Sequence, residues 1–143
     1  MTQIESVIGS DFPKKIIPLI QAAKNSIKIV VFDWRWYYNE PGNPAQLFNH
    51  AILTAKNHGV EVKVITNVRD VVNLLNQQGC VAKYPVSKHL VHAKIMIIDD
   101  KHLVIGSHNY TQSAFTMNRE ASIIIRDFAD IGPFLDFFNN LFL

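Results

Sequence analysis

The chain has 143 residues, 48% of them apolar, with a single cysteine and a formal net charge of +2. That is enough apolar material for one domain around one core, and it excludes an intramolecular disulfide. A pI of about 8.7 accommodates an anionic substrate but falls short of the basicity of a protein that coats nucleic acid. The mean hydropathy of +0.08 is high for so small a chain and leaves apolar surface for a subunit interface to cover. Residues 1–11 are mixed polar, without a basic-then-apolar signal pattern. No apolar run approaches the ~18 residues of a membrane span. These features point to the cytoplasm and away from stable membrane association. Cys80 reads as a small buried apolar group, since no basic cluster lies beside it in the sequence.

The first predicted element is an amphipathic helix over 12–24, with Ile16, Ile17, Leu19 and Ile20 as its apolar stripe, Asp11 as N-cap and Pro13 in the first turn. Residues 26–32 are rich in β-branched side chains and predict a buried strand. An irregular stretch, 33–42, carries Trp34, Trp36, Tyr37 and Tyr38. A second helix covers 44–57 and ends at Gly59; a strand covers 60–66; a third helix covers 68–78 and ends at Gly79; a short strand covers 80–84. Strands over 92–98 and 102–106 flank a turn at Asp99, Asp100 and Lys101. A loop with one helical turn leads to a strand over 120–126, and a helix over 129–143 closes the chain with Phe134, Phe137 and Phe138 on its apolar side. The alternation predicts an α/β fold, a mixed β-sheet flanked by helices on both faces. The late hairpin makes that sheet partly antiparallel. No repeat or linker divides the chain, so residues 1–143 read as one domain.

The chemistry is concentrated between His92 and Glu120. Residues two apart on a strand share a face, so His92 and Lys94 point the same way, while Ala93, Ile95 and Ile97 turn toward the core. If the hairpin loop holds two or four residues, Lys94 lies opposite Ser107 and His92 opposite Asn109. A three-residue loop shifts the register by one and turns the second pair away. With the first register, one patch gathers a cation, an imidazole and two neutral donors, a set suited to gripping an anion. Gly106 suits a place where backbone comes close to a ligand. A phosphodiester is shielded by negative oxygens, so a site that attacks it must neutralise them and stabilise developing charge. Histidine can attack phosphorus covalently, and near neutral pH it can also protonate a leaving group.

The spacing His92-x-Lys94-x4-Asp99-x6-Gly106-Ser107-x-Asn109, with Glu120 eleven residues further on, resembles the motif of the phospholipase D superfamily. The resemblance is closest to small single-motif members, the bacterial EDTA-resistant endonucleases. It extends to an Ala-x-x-Ser-Ile segment ending at Ile27 and a Gly-Val-x-Val-Lys segment opening at Gly59. The resemblance implies that His92 is the nucleophile that forms a phosphohistidine. Lys94 and Asn109 would bind phosphate oxygens with Ser107 assisting. Glu120 would hydrogen-bond the imidazole and fix its tautomer, and Asp99 would support the site from behind the turn. Neither His89, His102 nor His108 is followed by a lysine two residues on, so no second copy of the motif begins there. In such a family a single motif implies a homodimer, with one His92 attacking while its counterpart donates the proton.

His89-x-x-His92 is too thin a pattern for a metal site, and no metal or other cofactor is expected. His108, inside the Gly106 to Asn109 loop, reads first as a structural residue, with a place at the rim of the expected site as the lesser alternative. The rings of 33–42, with Arg35 among them, either stack on bases or cover the edge of the core; this segment departs most from the small endonucleases. The leading expectation is a metal-independent endonuclease acting on nucleic acid, DNA in preference to RNA. The alternatives are a phospholipase or cardiolipin hydrolase with the same chemistry, and a non-cleaving nucleic-acid-binding module of a larger protein.

Overall fold

The computed structural model describes residues 3–143 and builds one seven-stranded mixed sheet. In chain order its elements are β1 (Gln3–Ile8), α1 (Asp11–Gln21), β2 (Ser26–Val31), α2 (Pro44–Asn57), β3 (Glu61–Thr66), α3 (Arg69–Gln77), β4 (Val81–Lys83), β5 (Lys94–Ile98), β6 (His102–Gly106), α4 (Gln112–Thr116), β7 (Ala121–Arg126) and α5 (Gly132–Phe142). The strands lie in the order β1-β7-β6-β5-β2-β3-β4. The β2, β3 and β4 strands run parallel, and every other neighbouring pair is antiparallel. The mixed sheet with helices on both faces follows the sequence expectation.

The two faces are unequal. On one, α1, α2, α3 and α4 bury Ile27, Ile29, Val31, Val62, Val64, Met96 and Val104. On the other, α5 packs Phe138 onto Val30, Ile65, Ile95, Ile97 and Leu103. Central strands covered on both sides read as mostly apolar runs, which is why Ser26–Val31, broken inside only by Lys28, and Lys94–Ile98, apolar after Lys94, stand out in the sequence. Cys80 is buried, and burial raises its thiol pKa. Of the aromatic segment, Trp34 is fully buried with its Nε1 donating to Asn49 Oδ1 at 2.6 Å, and Trp36 and Tyr37 pack on the core; Tyr38 alone is largely exposed.

Several boundaries differ from expectation. The β1 strand was not anticipated in residues read only as a mixed polar terminus; Met1 and Thr2 of that stretch lie outside the described residues. The strand pairs antiparallel with β7 at the sheet edge, where Val7 is buried and Ile4 and Ile8 stay exposed. Asp11 is the first helical residue, not the cap; Ser10 occupies the cap position and makes no side-chain cap bond. By contrast, Asn43 caps α2, its side chain accepting from Ala45 N at 2.9 Å.

The hairpin takes the three-residue loop. Asp99 and Asp100 both have φ near 55°, Lys101 N donates to Ile98 O at 3.1 Å, and pairing resumes at Ile98 with His102. Aspartate tolerates this left-handed backbone better than most residues. The ladder pairs Ile95 with Ile105, so Lys94 stands level with Gly106, not with Ser107.

Candidate active site

The shifted register means that the ladder itself does not join Ser107 and Asn109 to His92 and Lys94. They reach the same sheet end because β6 stops at Gly106 and the chain leaves the ladder. Ser107 N donates to Ala121 O at 3.1 Å, and Ala121 N donates back to Ser107 Oγ at 3.0 Å. Two residues on, Asn109 Oδ1 accepts from Asp33 N at 3.0 Å. A backbone N–H must meet the amide oxygen, so the Asn109 amide NH2 is left as a donor. Tyr110 N to Asp33 O, at 3.0 Å, completes the stitch between this loop and the end of β2.

His92 precedes β5 and is exposed. Its ring packs on Phe32, the residue after β2, with centroids 4.7 Å apart. Lys94 Nζ lies 3.0 Å from His92 Nδ1 and 3.3 Å from Nε2. An ammonium only donates, so the nitrogen that receives it presents a lone pair. Desolvation pushes the Lys94 pKa below the ordinary lysine value, and the Glu120 carboxylate pulls it back up. Asn67 secures this corner: its Nδ2 donates to Phe32 O at 3.3 Å and to Val91 O at 3.0 Å, tying the end of β2 to the arm that carries His92.

Glu120 departs from its expected partner. Its Oε1 accepts from Ser107 Oγ at 2.6 Å and its Oε2 from Asn118 Nδ2 at 3.1 Å; within one chain it is not bonded to His92. Ser107 spends its one hydroxyl proton on Glu120, so in this arrangement it positions Glu120 and does not offer a donor to substrate. Asp99 lies at the opposite end of β5 from Lys94. Its carboxylate accepts from Lys24 N, Asn25 N and Ser26 N, at 2.7 to 3.2 Å. Burial pushes its pKa up, but the three backbone donors bring it below the ordinary carboxylate value. Asp99 is therefore placed to hold the loop into β2, remote from the reacting end.

Two further residues of the motif serve the fold. A Cβ on Gly106 would overlap Ser122 Cα and Oγ, so the glycine admits the neighbouring strand β7 and not a ligand. His108 is buried, not at the rim. Its Nε2 meets Gly9 O at 2.9 Å, its Nδ1 meets Ser122 Oγ at 2.7 Å, and it stacks on Phe12 with centroids 4.5 Å apart. Burial lowers its pKa, partly opposed by the Gly9 bond and by Glu120. Sequence reasoning missed Phe32, Asn67 and Ser122. Phe32 closes an apolar run and looks like any strand residue there; only Asn67, a polar residue directly after β3, carried a local signal.

Among the described residues no group of three His, Cys, Asp or Glu side chains is arranged to hold a metal ion. Among the described residues no helix is long and apolar enough to cross a membrane.

The family model described as "Cardiolipin synthase, PLD-like domain" matches residues 16–142. The chain belongs to the phospholipase D superfamily. The mouse (Mus musculus) mitochondrial cardiolipin hydrolase is 27% identical over 135 residues, covering 89% of this chain and 56% of that protein. The chain thus spans about half the length of the curated relatives it matches. Two solved bacterial structures share the fold nearly end to end. Nuc from Salmonella typhimurium, a phospholipase D family member, superposes with a TM-score of 0.83 at 20% identity, covering 99% of this chain and 94% of its own. NucT from Helicobacter pylori gives 0.80 at 18% identity, with 99% and 96% covered. The exposed His92 and the half-buried Lys94 beside it lie within the matched residues.

Proposed function

We propose that this phospholipase D-like chain is a metal-independent phosphodiesterase acting on nucleic acid, an endonuclease that works through a phosphohistidine at a site shared by two subunits. One observation carries the reading: His92 is exposed, backed by Phe32, with the Lys94 ammonium 3.0 Å from its ring. A neutral ring nitrogen attacks phosphorus, the N–P bond forms, and the bond to the leaving oxygen breaks. That oxygen takes a proton from His92 of the partner subunit. The same partner imidazole then accepts a proton from water, whose oxygen attacks phosphorus and releases the P–N bond. Lys94 and the amide NH2 of Asn109 neutralise and orient the phosphate oxygens, and Ser107 and Glu120 brace each other beside them.

The dimer is supported by what a single chain lacks. His108, the one other histidine in the Gly106 to Asn109 loop, is buried with both ring nitrogens engaged. Ile4, Ile8 and Ile123 leave apolar surface on β1 and β7 to be covered. A second reading, hydrolysis of cardiolipin or another phospholipid, is favoured by the description of the matched family and by the mouse relative. One panel decides: single-stranded DNA, plasmid, RNA and cardiolipin vesicles, each in excess EDTA. The nuclease reading expects DNA cleavage there. Phospholipid turnover without nucleic-acid cleavage replaces it with the lipid reading, cleavage abolished by EDTA removes metal independence, and an active monomer by light scattering removes the shared site.

A further inference from the structure

The chain after β2 does more than cap the core. Past Asp33, which is tied to Asn109, the backbone runs beside Tyr110, with Arg35 N donating to Tyr110 O at 3.0 Å. From there it forms one wall of a groove of about 400 Å³, with Trp34 as floor and Arg35, Trp36 and Tyr38 along the side. The opposite wall is α3. Asp70, Asn73, Leu74 and Gln77 follow the i, i+3, i+4, i+7 spacing that puts them on one helix face, and that face lines the groove. Asp70, Asn73 and Gln77 are exposed there, and Tyr38 is 70% exposed.

We propose that this groove binds one unpaired nucleobase with its sugar, immediately beside the scissile phosphate. The proposal rests on the nucleic-acid reading above and adds the subsite that selects a single strand. Four features of the groove suit such an occupant. Its volume lies within the range of about 300–1,000 Å³ usual for small-molecule sites. One wall offers an exposed tyrosine and a half-buried tryptophan, rings on which a base can stack, and stacking is tolerant of sequence. The other wall offers two amides and a carboxylate, which match the donor and acceptor edges of a base and would be left unpaired against an acyl chain. Finally, Arg35 is two residues from Asp33, a separation of at most about 7 Å along the chain, so the groove begins next to the loop that holds Asn109. A base in a duplex has no free face to stack, so the groove requires an unpaired strand.

The test separates this groove from the chemistry. Bis(p-nitrophenyl) phosphate reports phosphodiester cleavage without filling the groove; a thymidine oligonucleotide needs both. Tyr38→Ala and Asn73→Ala remove exposed side chains and leave the core intact. The expected result is a rise of about tenfold in KM for the oligonucleotide with each variant, with turnover of the small diester unchanged. Quenching of tryptophan fluorescence by the single-stranded oligonucleotide, reported by Trp36, provides a binding signal that does not depend on cleavage. Tighter binding of the single strand than of its duplex, weakened by both variants, supports the groove even if no nucleic acid is cut, in which case the proposed activity fails alone. The groove proposal is overturned if both variants bind and cleave the oligonucleotide as the unmodified chain does. It is equally overturned if both substrates suffer alike, or if cardiolipin vesicles and not the oligonucleotide give the Tyr38-dependent quench.

Discussion

The two ends of β5 carry residues of one motif, and the fold treats them in opposite ways. At the start of the strand, His92 is exposed and Lys94 half-buried; they meet each other and Phe32, with the Glu120 carboxylate acting on the ammonium. At the other end, Asp99 turns back into the protein and gives its carboxylate to three successive backbone donors. The loop after β6 repeats the division: half-buried Asn109 commits its amide oxygen to Asp33 N and leaves its NH2 as a donor, while Gly106 and His108 are consumed by packing against β7, Gly9 and Phe12. On the proposed function, the motif is two interleaved sets, one that acts and one that aims, with Asn109 sharing both duties: its amide oxygen holds Asp33 N and its NH2 is left as a donor.

The comparison is broken most directly by its two histidines. His92→Ala is expected to lower turnover of bis(p-nitrophenyl) phosphate by at least about a thousandfold. An exposed side chain removed from no packed contact but Phe32 should shift stability by no more than about 0.5 kcal/mol. His108→Ala should do the reverse. It removes a stacked ring, a buried hydrogen bond to Ser122 and a partly buried one to Gly9, a loss of about 3 kcal/mol, while the variant that remains folded keeps measurable turnover. Thermal melting and initial rates on the same preparations check both. Wild-type rates in His92→Ala, or an unchanged melt in His108→Ala, would erase the division between acting and aiming residues.

Gly106→Ala sharpens the same division one residue before the site. Its Cβ would meet the Ser122 hydroxyl and also backbone of β7, Ser122 Cα and Ala121 O, which cannot swing aside, so relief requires the strands to part. The expected cost is about 3 kcal/mol, read as a lowered denaturant midpoint. If the glycine instead served a ligand, the variant would fold normally and lose only affinity for substrate.

The legible and illegible parts of the sequence follow the same line. The central strands were readable because burial on both faces leaves Ile95 to Ile98 wholly apolar and Ile27 to Val31 interrupted only by Lys28, which pairs with Asp100. The helix Pro44–Asn57 was readable to the residue, since Asn43 and the proline at its start mark the entry. The β1 strand was not, because at a sheet edge with an open face only Val7 needs to be buried, and Ile4 and Ile8 follow no core period. The site residues were legible as a set of spacings, but their roles were not. Spacing does not say that two consecutive aspartates will both adopt a left-handed backbone and slip the hairpin register. Nor does it say whether a serine hydroxyl will face substrate or a neighbouring carboxylate, as Ser107 faces Glu120.

The smallest effect tests the quiet end of β5. Asp99→Asn keeps a residue that tolerates φ near 55° and one oxygen for the loop, so it isolates the charge. The Asp99 carboxyl titrates below its ordinary value of 3.8 in the folded chain. A carboxylate whose folded pKa is depressed contributes stability that is fully present above the unfolded pKa and disappears as pH falls through the folded one. Solvent reaches this group, so the loss expected for Asp99→Asn near neutral pH is about 1 kcal/mol. Urea midpoints of the two proteins should differ at pH 7 and converge well below pH 3.8. A difference that persists in acid would mean that Asp99 acts through shape and not charge. A difference confined to turnover, with no change in midpoint, would move Asp99 from the aiming set into the acting one.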